Sequence, residues 1–337
     1  MKQDEQLREQ AESSKEEKNQ AERREEKPGF LDGKLKNRKG KLALILLPLL
    51  VIGLLLALFY EREGTIAYEE GTYEGEIRGF QPHGEGVWTH PDGDRKEGLW
   101  KDGLLHGYGV VSLSDGTEYE GELKAGLMHG LGLVTRQDGA VYEGEFVEGR
   151  AHGEGEAAYA DGSTYRGEYK HGRMHGSGEY ILPNGARYEG EFEDDLFHGT
   201  GVWTHPDGQK YVGEFENDLF HGEGILTDPD GMSYEGQFKK GHFHGSGKFT
   251  YPDGTVYEGE FVDSKFEGEG KMLYSDGAGY EGMWKDGLRH GTGKMTYTDG
   301  VVYEGEWQEN QYHGEGKITF PDGSEIEGTF EEHELVE

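Results

Sequence analysis

The sequence predicts an all-β repeat protein: an elongated single-layer antiparallel sheet of about eleven 23-residue β-hairpin units, plus one N-terminal transmembrane helix. Three observations carry this reading. A frame opens at Tyr73 and returns every 23 residues, at Tyr119, Tyr142, Tyr165, Tyr188, Tyr211, Tyr234, Tyr257, Tyr280 and Tyr303, with no insertion or deletion between 73 and 325. Lys96 holds that place in the second unit, and Ile326 opens a partial twelfth. A period of this size marks an architecture in which each unit is one supersecondary element. Within a unit the apolar residues alternate, as strands require. Upstream, residues 42–60 read LALILLPLLVIGLLLALFY, without a charge.

The elements follow in chain order. Residues 1–41 hold 12 Lys/Arg and 10 Asp/Glu, with Leu7 the one large aliphatic side chain before Leu31. Helix propensity is present but no apolar face exists to bury, so a disordered or partly helical cytoplasmic arm is expected. Residues 42–60 would extend roughly 28 Å as a helix, enough for a hydrocarbon core. Pro48 and Gly53 are tolerated in a membrane span. Lys34, Lys36, Arg38, Lys39 and Lys41 precede the span; Glu61, Arg62, Glu63, Glu69 and Glu70 follow it. That bias puts the N-terminus in the cytoplasm and the repeats outside it, in a periplasmic, extracellular or luminal space. The long polar lead and the unsuitable ALFYEREG junction favour an uncleaved signal anchor over a cleaved signal peptide. Residues 61–72 read as a linker, 73–330 as the repeat domain and 331–337 as an acidic tail.

Each unit reads as two strands. Tyr188, Gly190 and Phe192 would share one face, with Glu189 and Glu191 on the other. Gly199, Gly201 and Trp203 are expected on one face of the second strand, and Thr200, Val202 and Thr204 opposite. A loop of about seven residues around Glu193-Asp194-Asp195-Leu196-Phe197-His198 would join the strands. Asp-Gly pairs such as Asp207-Gly208, Asp230-Gly231 and Asp253-Gly254 mark the turn to the next unit, because glycine supplies positive φ. Asn184-Gly185 serves the same geometry. Hairpins pairing in series would advance roughly 10 Å per unit, giving a twisted ribbon or trough on the order of 100 Å long. The aromatic rings would lie over Gly190, Gly199 and Gly201 as a thin core.

The motif YEGEF-x5-HG-x-G, repeated at 23 residues over 73–330, resembles the MORN (membrane occupation and recognition nexus) repeat. The resemblance implies hairpin repeats in an elongated sheet, with scaffolding or protein interaction as the usual role. It also brings a link to phospholipid binding and to dimerisation through terminal repeats. Kinase or methyltransferase domains accompany the repeats in some members, but no stretch outside the repeats is long enough to hold one. Two units depart from the pattern: the second reads KEGLWKDG, and Phe266-Glu267-Gly268 replaces x-His-Gly in the ninth.

Composition narrows the function. The chain has 59 Gly, no Cys and a formal net charge of −34. With 22 Lys/Arg and 58 Asp/Glu outside the first 41 residues, the remainder carries −36. Such a surface repels phosphate backbones and anionic headgroups, which excludes nucleic acid as a partner. Cysteine sites are absent by composition, and none of the five Asn opens a glycosylation sequon.

No catalytic residue, metal ligand or cofactor site is expected. The histidines His83, His106, His129, His152, His175, His198, His221, His244, His290 and His313 form a ladder with rungs roughly 10 Å apart, too far for neighbours to share one zinc ion. Each imidazole is expected to fix its own loop. The turn aspartates are explained by the turns, the serines share no common partner, and carboxylate pairs such as Glu189 and Glu191 recur as a solvated strand face. The chain is therefore expected not to be an enzyme. The repeat-defining structural residues are Tyr119, Gly121, Tyr142, Gly144, Tyr188, Gly190, His198, Gly199, Gly201, Tyr257 and Gly259.

Candidate partner-binding aromatics are Trp88, Trp100, Trp203, Phe215, Trp284 and Trp307. The expected function is a membrane-anchored, non-catalytic scaffold or protein-interaction module. It would select basic or neutral protein partners, meet the membrane through residues 42–60, and have the capacity to form a homo-oligomer. One alternative is a carbohydrate or cell-envelope module stacking glycan rings in an aromatic trough. A second is a lipid-associated membrane tether, which the charge opposes.

Overall fold

The computed structural model describes residues 50–53, 56 and 60–337, and the chain divides into one unit over 1–60 and another over 61–337. In the first unit, residues 50–53 and 56 are helical and exposed. Among the described residues no helix is long and apolar enough to cross a membrane. The single-pass topology expected from residues 42–60, with its signal anchor, cytoplasmic N-terminus and extracytoplasmic repeats, is corrected on that finding. Most of 42–60, and all of the 1–41 arm, lies outside the described residues.

The second unit is one open antiparallel sheet of 25 strands, in which each strand pairs with its neighbours in sequence. It begins earlier than the first tyrosine. Glu61–Tyr68, assigned to a linker on sequence, is a strand paired along its whole length with Gly71–Arg78. At the other end Glu334–Leu335, in the expected acidic tail, adds a short strand to Glu325–Glu331.

The turn inside each hairpin is shorter than expected. Strand Arg187–Glu193 is joined to Leu196–Thr204 by two residues, not seven, and Leu196, Phe197 and His198 continue the ladder. Asp194 and Asp195 both take positive φ, 50° and 75°. That is the mirror-image turn whose twist matches the flanking strands. The turns are also linked to one another. The second turn residue donates its N–H to the preceding unit, as in Gly103 to the Pro82 carbonyl at 3.0 Å and Asp195 to the Met174 carbonyl at 3.1 Å. Between hairpins, His205 N–H donates to the Gln209 carbonyl at 2.8 Å, and Gly208 turns the chain at φ 101°.

Glycine at the third and fourteenth places forms one unbroken row across the sheet, from Gly64 to Gly328. Its missing Cβ atoms are replaced by rings. A Cβ on Gly190 would lie 2.6 Å from the Tyr188 hydroxyl, and one on Gly201 2.7 Å from Tyr188 Cζ. Tyr188 is 0% exposed; its hydroxyl donates to the Glu191 carbonyl at 2.8 Å and faces the His198 carbonyl at 3.2 Å. Phe197 stacks on the ring at 3.9 Å, with Phe192 and the next unit's Phe215 edge-on at 5.1 and 4.9 Å. This ladder of edge-to-face and stacked rings is the core of a one-layer sheet. Hydroxyl bonding in the plane of the sheet keeps the phenols from being buried unpaired.

Gly199 departs from the expected face. It sits at φ 56° in a β-bulge where the register against Arg187–Glu193 shifts. Its missing Cβ points at the Glu191 carboxylate, on the side away from Tyr188. An extra residue in one strand breaks strict alternation.

Candidate functional site

The face opposite the tyrosines carries the glycine row as the floor of a furrow. Around Gly121, Gly132, Gly144 and Gly155 this furrow encloses about 870 Å³, walled by Glu120, Leu131, Leu133, Glu143, Glu154, Glu156 and Arg166. Around Gly270, Gly282, Gly293 and Gly305 it encloses about 700 Å³, walled by Glu258, Glu269, Lys271, Glu281, Lys294 and Glu304. Strand period places these walls: residues on either side of each glycine project to the face the tyrosine does not use.

One wall is built from the first Glu of each Tyr-Glu-Gly-Glu run and its cross-strand partners. Towards the C-terminus it alternates in charge strand by strand: Glu235, Lys248, Glu258, Lys271, Glu281, Lys294, Glu304, Lys317 and Glu327. Towards the N-terminus it mixes carboxylates with apolar residues, as in Glu74, Val87, Glu97, Val110, Glu120 and Leu133. There the opposite wall exposes Leu99, Tyr108 and Leu131 beside Glu122 and Glu145.

The second Glu has a structural role that its place on a solvated face concealed. Glu191 Oε1 accepts from the Thr200 N–H at 3.1 Å and hydroxyl at 2.9 Å, closing the bulge; these bonds hold its carboxyl below the usual range. Glu168 and Glu214 accept in the same way from Ser177 and Glu223, at 3.1 and 3.2 Å. The available signal was the pairing of that Glu with the His-Gly seven and eight residues after it.

The sequence-selected aromatics divide. Trp100, Phe215, Trp284 and Trp307 are buried in the ring ladder, at 7, 3, 5 and 2% exposure. The indoles of Trp100, Trp284 and Trp307 donate to the glycine-row carbonyls of Gly86, Gly270 and Gly293, at 2.9, 3.2 and 3.1 Å. Trp88 and Trp203 are half-buried; Lys96 Nζ lies 4.8 Å over the Trp88 ring, and Trp203 stacks on His205 at 5.6 Å. Lys96 therefore compensates the missing tyrosine by capping an indole.

The repeat-defining residues fall where the ladder requires them. Tyr119 and Tyr257 are buried like Tyr188, and Gly121, Gly144 and Gly259 lie in the row. Tyr142 is only half-buried. His198 contributes its carbonyl to the tyrosine, while its Nδ1 is buried without a partner, as in His175 and His244. Imidazole contacts within the hairpin accompany that backbone contact, with His198 Nε2 3.4 Å from the Glu193 carboxylate and His221 Nδ1 3.2 Å from Glu216. Among the described residues no group of three or more His, Cys, Asp or Glu side chains is placed to hold a metal ion. Burial pushes the phenols of Tyr73, Tyr119, Tyr142, Tyr280 and Tyr303 up to about 12, and those of Tyr188, Tyr211, Tyr234 and Tyr257 beyond that.

The fold and furrow define a β-hairpin repeat protein built on a single open sheet. The chain belongs to the MORN repeat family, whose model matches eleven stretches: 73–95, 97–118, 119–141, 142–164, 165–187, 188–210, 211–233, 234–256, 257–279, 280–302 and 303–325. Its repeats are of a kind that generally mediates protein or membrane interaction. A comparison with curated proteins finds no match. Among solved structures, the Drosophila melanogaster SAS-4 (dCPAP) TCP domain, in complex with a proline-rich motif of Ana2, is 14% identical. That match covers 63% of this chain and 99% of the other, at a TM-score of 0.29. The TCP10 domain of Danio rerio CPAP is 16% identical over 72% of this chain and 99% of its own, at 0.23. Virginiamycin B lyase from Staphylococcus aureus is 12% identical over 81% and 89%, at 0.14. At such TM-scores these likenesses carry no argument.

Proposed function

We propose that the protein is a non-catalytic scaffold that holds an extended, basic segment of a protein partner in the furrow over repeats 2–7. The observation that carries this is the unbroken glycine floor between acidic walls, with Leu99, Tyr108, Leu131, Val212 and Ile225 exposed among the carboxylates. A bare floor lets a backbone approach closely, and recurring walls offer the same contact every two strands. Alternating Lys/Arg and apolar side chains would match such walls. Electrostatic complementarity would set on-rate and selectivity more than affinity. The acidic walls oppose an anionic bilayer as the ligand.

The test is fluorescence anisotropy with a labelled Lys-Leu alternating peptide on the full chain, across a salt series. Binding should be saturable and weaken as salt rises. Glu120→Lys with Glu143→Lys and Glu156→Lys should weaken it by about tenfold or more. Unchanged affinity in that triple variant, with the fold intact by circular dichroism, sinks the reading.

A further inference from the structure

One tyrosine of the ring ladder lacks any large side chain over its face. In the unit that opens at Tyr142, the two positions that cover the tyrosine elsewhere are alanines: Ala151 stands where Phe197 stacks on Tyr188, and Ala157 where Trp203 pairs with it. Tyr142 keeps edge contacts to Phe146 and Tyr169, at 5.1 and 5.0 Å, but no ring stacks on its face. The two buried core clusters meet at this tyrosine, which belongs to neither as a fully buried residue. A cavity of about 700 Å³ opens there, lined by Tyr142, Phe146, Ala151, Ala157 and Tyr169.

Its polar groups point to a ligand. Tyr169 stands where Phe146 and Phe192 sit in the neighbouring units, is 6% exposed, and its buried hydroxyl faces that of Tyr159 without closing a hydrogen bond of good geometry. Such a group costs free energy unless something accepts from it. Burial pushes the phenol far above its usual range, so it remains a donor. Arg136 and Arg150 stand on the cavity wall, exposed and without an ion pair among the described residues, in a chain of net charge −34.

We propose that this cavity binds a small aromatic carboxylate. Its ring stacks on Tyr142 in the place Phe197 takes beside Tyr188, a polar atom accepts from the Tyr169 hydroxyl, and its carboxylate meets Arg136 or Arg150. Size and lining are those of a small-molecule pocket, mostly apolar with a few convergent polar groups.

The test is ligand-observed saturation-transfer NMR on the full chain, with indole-3-acetate and 3-phenylpropionate as probes. The wild type should bind at least one with Kd tighter than about 1 mM. Ala151→Phe restores the ring that most later units carry, and should keep or raise the melting temperature while weakening binding by about tenfold or more. Tyr169→Phe removes a hydroxyl whose one neighbour, the Tyr159 hydroxyl, it meets only in poor geometry, so the fold should hold while affinity falls severalfold. Failure of both probes to bind the wild type overturns the proposal. So does unchanged binding in Ala151→Phe. Should that variant misfold, Tyr169→Phe decides alone, and wild-type affinity there refutes the site.

Discussion

Gly224→Ala tests the ring-for-Cβ exchange on which the sheet depends. The added methyl would lie 2.6 Å from Tyr211 Cε2 and Cζ, and closer still to the hydroxyl oxygen. Tyr211 has nowhere to go: it is 0% exposed, stacked on Phe220 at 3.8 Å, and met edge-on by Phe215 and Phe238 at 5.1 and 5.0 Å. Displacing it also loses the hydroxyl bond to the Glu214 carbonyl at 2.9 Å. Overpacking at about 1–3 kcal/mol and a hydrogen bond at about 1 kcal/mol together predict a local loss of about 2–4 kcal/mol. Tyr211→Ala alone should cost about 3–5 kcal/mol, as an aromatic deletion from a core. In that background Gly224→Ala meets no ring, and restricting the unfolded chain should make it neutral or stabilising by up to about 1 kcal/mol. Because repeat arrays open locally, the assay is hydrogen exchange of amides in Lys210–Glu216 and Leu219–Thr227, read beside thermal melting. An equal cost of Gly224→Ala with and without the Tyr211 ring would refute the reasoning.

Two further outcomes follow from the same geometry. Ala125 holds φ 51° at the first position of a hairpin turn, where Asn217 sits at the same φ in another unit. Ala125→Asn should therefore raise stability by up to about 1 kcal/mol, since Asn tolerates the left-handed region better; a lower melting temperature would count against the turn assignment. The phenols of Tyr73, Tyr119, Tyr142, Tyr280 and Tyr303, held up to about 12 by burial, link stability to alkaline pH. Below pH 10 their contribution is fully present. Between about pH 10 and 12 the unfolded chain releases protons that the folded one keeps, so stability falls as pH rises. Absorbance at the tyrosinate band should rise late and together with loss of circular dichroism; early, independent ionisation would contradict the buried ladder.

The order of strands was legible because period and alternation act on every unit alike. A 23-residue frame without insertions leaves hairpins in series as the simplest solution, and the Asp-Gly turns punctuate it. What stayed hidden was local. Glu193-Asp194-Asp195-Leu196 has the composition of a loop, and nothing in it announces that two non-glycine residues share positive φ. His198-Gly199 reads as a continuing strand until the bulge reverses Gly199 towards Glu191. The alternation that gathers the aromatics on one face was legible. Tyr142 shows why their accessibility was not: its exposure depends on the size of Ala151 and Ala157, distant in sequence and adjacent only after pairing. The membrane span was inferred from composition alone, and no helix among the described residues supports it.

A one-layer sheet has no second layer to bury its apolar face, and here the glycine row solves that problem while strand alternation shapes the furrow. On one side each missing Cβ makes room for a tyrosine lying flat along the strands; on the other, strand alternation leaves backbone bare between two walls. The wall positions lie on the face away from the ring ladder, so their identity is free of the constraint that fixes the core. That freedom is visible in the chain. From Glu235 to Glu327 one wall alternates Glu with Lys, with Lys271 4.0 Å from Glu281 and Lys294 3.9 Å from Glu304. Cross-strand charge pairs of this kind contribute about 0.2–1 kcal/mol each and neutralise one another. From Glu74 to Glu189 the same wall carries Glu97, Glu120, Glu143, Glu156 and Glu179, with Arg166 as its cation. A basic segment therefore gains net negative field chiefly towards the N-terminal end, where Arg95, Arg166 and Arg187 pair with Glu97, Glu156, Glu179 and Glu189 but leave the carboxylates in excess. The C-terminal repeats present a furrow of the same shape whose charges already have partners, so a bound segment should be found over repeats 2–7 and absent beyond them.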